Sequence, residues 1–379
     1  MIYLDCNATT PLDPLALEAM LPYLREQFGN PSSRHEKGTA ARKAVDRARE
    51  QVAAAVGAQP AQVVFTSSGS EANNLFIKGM AAMRQPAQLA VSAIEHPCVM
   101  RPAQDVARGG WALRKIQVNS AGQIDLADLD TALRQPTGLV SVMLANNETG
   151  VIQPVAEASA RARAHGAWMH TDAVQALGKM SVDFHALGVH ALTLSSHKIY
   201  GPKGAGALIV DKRIAPHPLV HGGAQEHGLR AGTENVPAIV GFGAACELAV
   251  ARQSALARQT EALRERLEIG LKNMGAVLFG AEAPRIPNTS YFAFAGLDGE
   301  TLVVELDHVG FGVASGAACS AMSGAPSATL LAMGVAEELA RGAVRVSFGK
   351  DNTVADVESF LPALHGVVNR LKHLMAVAV

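Results

Sequence analysis

Short apolar segments bounded by turn residues alternate with amphipathic or alanine-rich segments through the first two thirds of the chain. Strands that are apolar throughout and separated by helices are typical of a largely parallel sheet covered on both faces, so we expect an α/β fold. The apolar segments predict buried strands over residues 63–66, 89–92, 139–145 and 167–170. Ligands of such sheets bind at the carboxyl ends of the strands. The polar residues that follow predicted strands, and so are the first candidates for a site, are His96, Asn147, Asp172 and Lys198.

The pattern changes after residue 235. A helical period runs over 236–274 and predicts a long connecting helix with an apolar stripe formed by Leu256, Leu263, Leu267 and Leu271. Strands predicted over 290–294 and 343–348 then alternate with helices, which is typical of a smaller α+β domain. We therefore predict an N-terminal segment that packs with the small domain, a large domain and a small domain, over residues 1–14, 15–255 and 256–379.

Composition limits the possible partners. With 379 residues, 49% of them hydrophobic, the chain can bury about two cores. A net charge of -1 and the lack of a Lys/Arg block argue against direct nucleic-acid binding. The contiguous apolar runs are much shorter than the roughly 20 residues needed to cross a bilayer, and no secretory signal is evident, so we predict neither a membrane partner nor export. Widely spaced cysteines fit neither a zinc site nor a disulfide scaffold and favour a reducing cytoplasm; they are Cys6, Cys98, Cys246 and Cys319.

A lysine and an aspartate suggest a coenzyme site. Lys198 lies in Ser-Ser-His-Lys-Ile-Tyr-Gly-Pro, and Asp172 lies 26 residues earlier in His-Thr-Asp-Ala-Val-Gln. A lysine amine can hold the aldehyde of pyridoxal 5'-phosphate as a Schiff base, while an aspartate keeps the ring nitrogen protonated. Alone, Lys198 would be read as an exposed loop lysine and Asp172 as a helix cap. Their order and spacing favour the coenzyme site.

Two further segments fit such a site. The strand, hydroxyl-rich turn and helix start over residues 65–74 form a predicted anion site suited to the coenzyme phosphate, although Ser67 or Ser68 would also serve simply as a helix cap. His96 is either a core histidine or a ring that stacks on the coenzyme and exchanges protons near neutral pH. His217 and His221 have a metal-like spacing, but on a predicted loop, and we predict no metal site.

Cys319 is the candidate nucleophile. It lies in Ser-Gly-Ala-Ala-Cys-Ser-Ala, within a run over 314–328 composed almost entirely of Gly, Ala, Ser, Met and Pro. Few large side chains can anchor such a run, so we expect a mobile loop whose thiol reaches first the coenzyme and then a partner. Cys246 is predicted to be a packed helical residue, and Cys6 and Cys98 are predicted to be small core fillers.

Together these motifs resemble the cysteine desulfurases of the class V aminotransferase group, most closely the NifS-like and IscS-like type. The resemblance covers nearly the whole chain and implies the type I fold of pyridoxal phosphate enzymes and a homodimer. Besides the segments already described, it is carried by residues 3–5, 8–11, 28–33, 145–150, 230–235 and 345–348.

The resemblance also implies residue roles. The implied catalytic residues are Cys319, Lys198 and His96. Arg345 is implied to grip the substrate carboxylate, with Asn147 nearby. Asp172 would pair with the ring nitrogen, and Gln175 and Asn147 would lie at the ring hydroxyl. The implied coenzyme ligands are Gly69, Ser70, His96, Asn147, Asp172, Gln175, Ser195, His197, Lys198 and, from the other subunit, Thr233.

The implied reaction converts L-cysteine to L-alanine. Lys198 or His96 moves the α proton, and the Cys319 thiolate attacks the substrate sulfur and becomes a persulfide. A sulfur-acceptor protein, either an iron–sulfur scaffold or another carrier, would take the sulfur. Two alternatives stay open: a selenocysteine lyase or class V transaminase, and a sulfur-carrying subunit without turnover.

Three positions depart from the family pattern. Ala317 replaces a serine before the nucleophile, Ala325 replaces the glutamate of Glu-Pro-Ser, and His227 replaces a frequent arginine. The sequence also ends soon after the last predicted helix, without the C-terminal extension of the housekeeping type. These differences concern the loop and its rim, so they leave the sulfur acceptor, and docking to the usual iron–sulfur scaffold, open.

Overall fold

The computed structural model describes residues 1–316 and 325–377. The strands in this part of the chain are β1 Ile2–Tyr3, β2 Val63–Thr66, β3 Gln88–Ser92, β4 Ala112–Ile116, β5 Thr137–Ser141, β6 Trp168–Asp172, β7 Ala191–Ser195, β8 Gly206–Val210, β9 Val277–Leu278, β10 Thr289–Ala293, β11 Phe311–Gly312, β12 Ala314–Ser315 and β13 Val344–Ser347. The α-helices there are α1 Pro14–Arg25, α2 Glu36–Ala55, α3 Gly69–Ala82, α4 Pro97–Arg108, α5 Leu126–Leu133, α6 Val155–Ala164, α7 Phe184–Leu187, α8 Val236–Asn273, α9 Gly299–His308, α10 Ala328–Ala332, α11 Glu337–Arg341 and α12 Val354–Val377.

The largest sheet has seven strands in the order β2-β8-β7-β6-β5-β3-β4. Neighbouring strands pair in parallel except at β8, which is antiparallel to both β2 and β7. Strands β5, β7 and β8 are buried along their whole length, as expected for strands with helices on both faces. The predicted α/β fold with a mostly parallel sheet is confirmed.

Several strand ends differ from the sequence prediction, and two of them lie next to the predicted site residues. Ladder pairing in β5 ends at Ser141, and residues 142–145 continue as buried chain whose backbone still donates to β6, from Val142 to His170 and from Leu144 to Asp172. Strand β6 extends through Asp172, which pairs with Thr193, so this aspartate is the last residue of a strand and does not follow it. The apolar pattern stops at a polar residue such as Asp172, even when the backbone of that residue still pairs in the sheet. The pattern therefore cannot locate such strand ends.

Helices cover both faces of this sheet. On one face, Val52 of α2 and Phe242 of α8 pack against strand residues such as Val140. On the other face, Phe76 of α3 and Val99 of α4 form a second apolar cluster. The loops at the carboxyl edge are therefore supported by packed elements on both sides.

A second core lies beyond the middle of α8. It packs around the antiparallel sheet β12-β13-β10-β9 and includes Leu263, Leu302, Phe360 and Leu364. The predicted long helix is confirmed as α8, which contributes Phe242 to the first core and Leu263 to the second. The domain bounds 15–255 and 256–379 stay a prediction.

The N-terminal segment runs along the C-terminal part of the chain and then reaches the sheet edge. Strand β1 pairs in parallel with β11, and Leu4 lies in the second core. The Cys6 amide donates to the Ser347 carbonyl over 3.0 Å, whereas the Thr10 amide donates to the His197 carbonyl over 3.0 Å. Residues 7 and 8 therefore stand between the second core and the turn that carries Lys198.

One helix among the described residues, α8, contains a window that is long and apolar enough to cross a membrane, judged by length and composition only. Helices of protein cores meet the same criteria, and α8 places Phe242, Cys246, Leu263 and Leu267 in the two cores. The absence of a membrane partner stays a prediction.

Candidate active site

A single cavity at the carboxyl edge of the large sheet gathers most of the residues that the sequence selected. It also includes Asn7, Asn73 and Cys98, which the sequence analysis did not select. Thr233 does not line the cavity but is exposed before α8, and Cys319 lies outside the described residues. The selected residues that line the cavity are Gly69, Ser70, His96, Asn147, Asp172, Gln175, Ser195, His197, Lys198 and Arg345.

Lys198 closes a short 3₁₀ turn directly after β7. Its Nζ donates to the carbonyl oxygens of Asn7 and Ala8 over 2.5 and 2.7 Å. The turn is tight, because a Cβ added to Gly201 would lie 2.1 Å from Ser196 Oγ, so only glycine fits there. This explains the glycine of the Tyr-Gly-Pro segment that follows the lysine.

Asp172 is held by two donors. Its Oδ2 accepts from Asn73 Nδ2 over 2.7 Å, and its Oδ1 accepts from the Val174 amide over 3.0 Å. The side chain is buried and faces the cavity, so its negative charge is fixed in one orientation. The anchoring amide of Asn73 was missed because nothing in the sequence links it to a carboxylate 99 residues away.

His96 is the N-cap of α4. Its Nδ1 accepts from the Cys98 amide over 3.2 Å and lies 2.8 Å from Cys98 Sγ. Burial lowers the pKa of His96, and the charge of Asp172 acts in the opposite direction. A neutral imidazole on the cavity wall can accept a proton near neutral pH.

The first turn of α3 faces the same cavity. Ser68 Oγ accepts from the Glu71 amide over 3.2 Å, so the helix-cap interpretation of Ser68 is confirmed. The amides of Gly69 and Ser70 are in the first turn, where N–H groups have no partner within the helix. A Cβ on Gly69 would lie 2.9 Å from Val174 Cγ2, so the close approach requires glycine. Ser68 can therefore cap the helix while the amides of Gly69 and Ser70 stay available to an anion.

His197 adds a neutral donor or acceptor beside this turn. Burial lowers the pKa of His197 to about 4, and the charges of Lys198 and Lys203 act in the same direction. Its Nδ1 lies 3.1 Å from Thr9 Oγ1. At neutral pH the ring is uncharged and bridges the N-terminal segment to the cavity.

Arg345 of β13 brings a buried positive charge to the cavity. Its Nη2 donates to Asp5 Oδ1 over 2.6 Å, and its Nη1 donates to the Asn147 carbonyl over 2.8 Å. Its Nε is buried without a hydrogen-bond partner. A guanidinium has five N–H donors, and Arg345 lines the cavity, so it suits a carboxylate ligand.

Lys179 is a second lysine that the sequence analysis missed. Its Nζ donates to Gln175 Oε1 over 2.6 Å and to Asn7 Oδ1 over 2.9 Å. Gln175 Nε2 in turn donates to the Asn7 carbonyl over 2.9 Å. The Gln175 amide is therefore fixed from both ends. The four-residue spacing from Gln175 was the only signal in the sequence.

Replacing Lys179 with methionine should change how stability depends on pH. Burial lowers the pKa of Lys179 to about 7, and the charge of Lys198 adds to this effect. Between this value and about 10.4, the ordinary lysine value, the unfolded chain binds more protons, so stability rises with pH. Because methionine carries no charge, the variant should lose that rise, so its stability relative to the parent should fall as the pH increases from 7 to 10. Urea unfolding of both proteins from pH 7 to 10 measures this, and parallel curves would contradict it.

The three described cysteines are poorly suited to be nucleophiles. Burial raises the pKa of Cys6 and of Cys98 to about 12 and raises that of Cys246 further, which disfavours the reactive thiolate. Cys6 and Cys246 are buried, as predicted. The prediction that Cys98 fills the core is wrong, because its thiol is half-buried on the cavity wall beside His96.

The loop that presents Thr233 is strained and clamped. Glu226 and His227 have positive φ values of 46° and 58°, a conformation that costs about 1–3 kcal/mol for such residues. Glu226 accepts two hydrogen bonds from Arg49, at 2.7 and 2.8 Å, and one from the Phe65 amide at 2.7 Å. The loop is thus fixed to the strand that leads into the predicted phosphate turn.

No group of three or more metal-ligating side chains that could hold a metal is found within residues 1–316 and 325–377. The rings of His217 and His221 meet edge to face, with centroids 5.2 Å apart. The absence of a metal site stays a prediction.

The fold and cavity are those of α/β enzymes whose active site lies at the carboxyl edge of a mostly parallel sheet. Residues 2–360 match the model of the family described as aminotransferase class-V. The cysteine desulfurase IscS of Dictyoglomus turgidum is 41% identical over 375 residues, 98% of this chain and 95% of that protein. The chain therefore belongs to the class-V aminotransferases, and within them to the cysteine desulfurases.

Solved structures agree with this assignment. One described as a NifS-like protein has a TM-score of 0.92 and 36% identity, covering 97% of this chain and 99% of its own. Another, SspA in complex with cysteine, has a TM-score of 0.81 and 34% identity, covering 92% of this chain and 99% of its own. The family resemblance, the fold and the enzyme class predicted from the sequence are confirmed.

Proposed function

We propose that this enzyme uses pyridoxal 5'-phosphate to convert L-cysteine to L-alanine and places the sulfur on Cys319 as a persulfide. The observation that carries the proposal is the meeting of Lys198, Asp172 and Arg345 around one cavity. The similar protein SspA, solved in complex with cysteine, supports this substrate.

The donor set of the cavity fits the coenzyme. Lys198 would hold its aldehyde, and the fixed carboxylate of Asp172 would keep its ring nitrogen protonated. The free amides at the start of α3, with Ser195 and His197, suit its phosphate. When bound, the coenzyme supplies an electron sink for the carbon atoms of the substrate.

Other residues would orient the two ligands. Gln175, clamped by Lys179 and Asn7, has a fixed amide for the ring hydroxyl, and Asn147 is its proposed neighbour. Thr233 would reach the phosphate of the other subunit in a homodimer, consistent with its exposed position on a clamped loop. Gly69 and Ser70 would bind the phosphate of their own subunit.

Substrate binding and proton transfer would use the two sides of the cavity. Arg345 would take the carboxylate of L-cysteine through its guanidinium, which lines the cavity. Lys198 or His96 would then move the α proton. His96 is suited to this because burial lowers its pKa and favours the neutral ring.

Sulfur transfer needs no external oxidant. The Cys319 thiolate attacks the sulfur of the substrate, an S–S bond forms, and the C–S bond breaks. The bonding pair goes to the substrate carbon, which takes up a proton and becomes the methyl group of alanine. A sulfur-acceptor protein, for iron–sulfur cluster or other sulfur-compound synthesis, would remove the outer sulfur. We place this reaction in the cytoplasm, without direct membrane or nucleic-acid partners.

The test is incubation of the purified protein with L-cysteine, with alanine assayed and the intact mass measured. We expect alanine and one added sulfur on the parent protein, and no added sulfur on Cys319→Ser. Cys246→Ala, which alters a thiol buried in α8, is the matched control and should keep the adduct. Alanine formation undiminished in Cys319→Ser, or a keto acid product, would overturn the proposal and favour a selenocysteine lyase or a transaminase.

A further inference from the structure

Glu148 is a partly buried carboxylate that accepts hydrogen bonds from three hydroxyl groups. Tyr291 Oη and Ser327 Oγ donate to its Oε2 over 3.0 and 2.5 Å, and Thr329 Oγ1 donates to its Oε1 over 2.9 Å. All three donors are buried. Hydrogen bonds to an ionised acceptor are roughly twice as strong as neutral ones, so this cluster is a firm local anchor.

The donors belong to the chain on both sides of residues 317–324. Ser327 and Thr329 follow that segment and bind the carboxylate directly. Gly316 precedes the segment and lies against Tyr291, because a Cβ added to Gly316 would lie 2.0 Å from Tyr291 Oη. The Gly316 amide also donates to the Ala343 carbonyl over 2.8 Å. Glu148 therefore binds the end that follows the segment directly, and it binds Tyr291, which lies against the end that precedes the segment.

The same carboxylate is one residue away from the substrate side of the cavity. The carbonyl of the preceding residue, Asn147, accepts from Arg345 Nη1 over 2.8 Å. The Glu148 amide donates to Asn146 Oδ1 over 2.9 Å, which fixes the intervening backbone. A shift of Glu148 would thus displace the ends of the segment relative to Arg345.

We propose that Glu148 is a positioning residue that sets where the segment bearing Cys319 begins and ends relative to the substrate carboxylate. This inference rests on the proposed role of Cys319 and deepens it. Glu148 touches neither substrate nor coenzyme in this scheme. It acts through Tyr291, Ser327 and Thr329, so its loss should affect sulfur transfer and leave the earlier proton step intact.

The experiment compares two rates in Glu148→Gln, loaded with coenzyme. The first is sulfur-adduct formation on Cys319 during one turnover, followed by intact mass. The second is exchange of the α hydrogen of L-alanine with solvent deuterium, which needs Lys198 or His96 but not Cys319. Because glutamine turns an NH₂ group toward hydroxyl donors, we expect adduct formation to slow about 10- to 100-fold, as for a displaced reactive group, with exchange near the parent rate.

A double-mutant cycle identifies the path. If Glu148 acts through Ser327, then Glu148→Gln combined with Ser327→Ala should be no slower than the worse single variant. Ser290→Ala is the matched control, because Ser290 is buried next to Tyr291 and its hydroxyl has no hydrogen-bond partner. Adduct formation in Ser290→Ala should equal that of the parent. Should Glu148→Gln fail to fold, Thr329→Val removes one donor at constant shape and should slow the same step.

Three results would overturn the inference. An unchanged adduct rate in Glu148→Gln, with the parent protein forming the adduct, would refute the positioning role alone. Equal losses in both rates would mean a general structural effect. A parent protein that forms alanine without an adduct on Cys319 would refute the proposed function, and the positioning role with it.

Discussion

Lys198→Ala is expected to lower alanine formation from L-cysteine roughly 10⁴- to 10⁶-fold, the range seen when a residue central to covalent catalysis is removed. The variant should also lose the absorbance of lysine-bound coenzyme. Folding should be little affected, because the Asn7 carbonyl keeps its bond from Gln175 and Ala8 is exposed to water. Initial rates, the visible spectrum and thermal unfolding of the same preparations measure all three effects.

Lys203→Ala is the natural control for this prediction. Lys203 lies five residues further along the same loop and is exposed, so the variant should keep the parent rate and spectrum. Turnover of Lys198→Ala within tenfold of the parent would assign the amine chemistry to another residue, with the neighbouring Lys179 the first candidate.

Arg345→Lys is expected to have the second largest effect, on the use of L-cysteine. Lysine keeps the charge but lacks the planar fork that binds a carboxylate through two parallel hydrogen bonds. Truncating one partner of a buried charge pair costs about 2–5 kcal/mol, which corresponds to roughly a 30- to 4000-fold loss in kcat/KM. The loss should lie mainly in KM, because the arginine contacts the substrate before and during the reaction.

Arg266→Lys serves as the control for a lost arginine fork. Arg266 is exposed and pairs with Glu358 on the surface, where an ion pair contributes little. The kcat/KM of Arg266→Lys should match that of the parent. A kcat/KM for Arg345→Lys that also matched the parent would remove Arg345 from the substrate site and leave it as a structural partner of Asp5.

The sequence predicted those residues whose role follows from their position in a local segment, such as the end of a strand. Lys198 and Asp172 could be selected because each stands at the end of an apolar strand, and parallel strands bring such ends to one edge. The long helix α8 was found because its apolar period continues without a break. Strand ends were not located correctly, as residues 142–145 illustrate.

Contacts between residues far apart in the sequence could not be found in this way. Asp5 and Arg345 form an ion pair although 340 positions separate them, and Glu148 and Thr329 are 181 positions apart. Lys179 gained its depressed pKa from burial that only the complete fold creates. Periodicity and motif spacing describe neighbours along the chain, so contacts of this range require the structure.

The pairing of the N-terminal segment has a consequence for protein synthesis. Ile2 and Cys6 are synthesised long before their backbone partners, Gly310 and Ser347. At about 5–20 residues per second, these partners follow roughly 15–70 s later. Until then the Asn7 amide lacks its bond to Ser347 Oγ, although Gln175 can already donate to the Asn7 carbonyl. An unfinished chain therefore lacks Arg345 in its cavity, and lacks the bonds that Ser347 makes with residues 6 and 7, until translation passes residue 347.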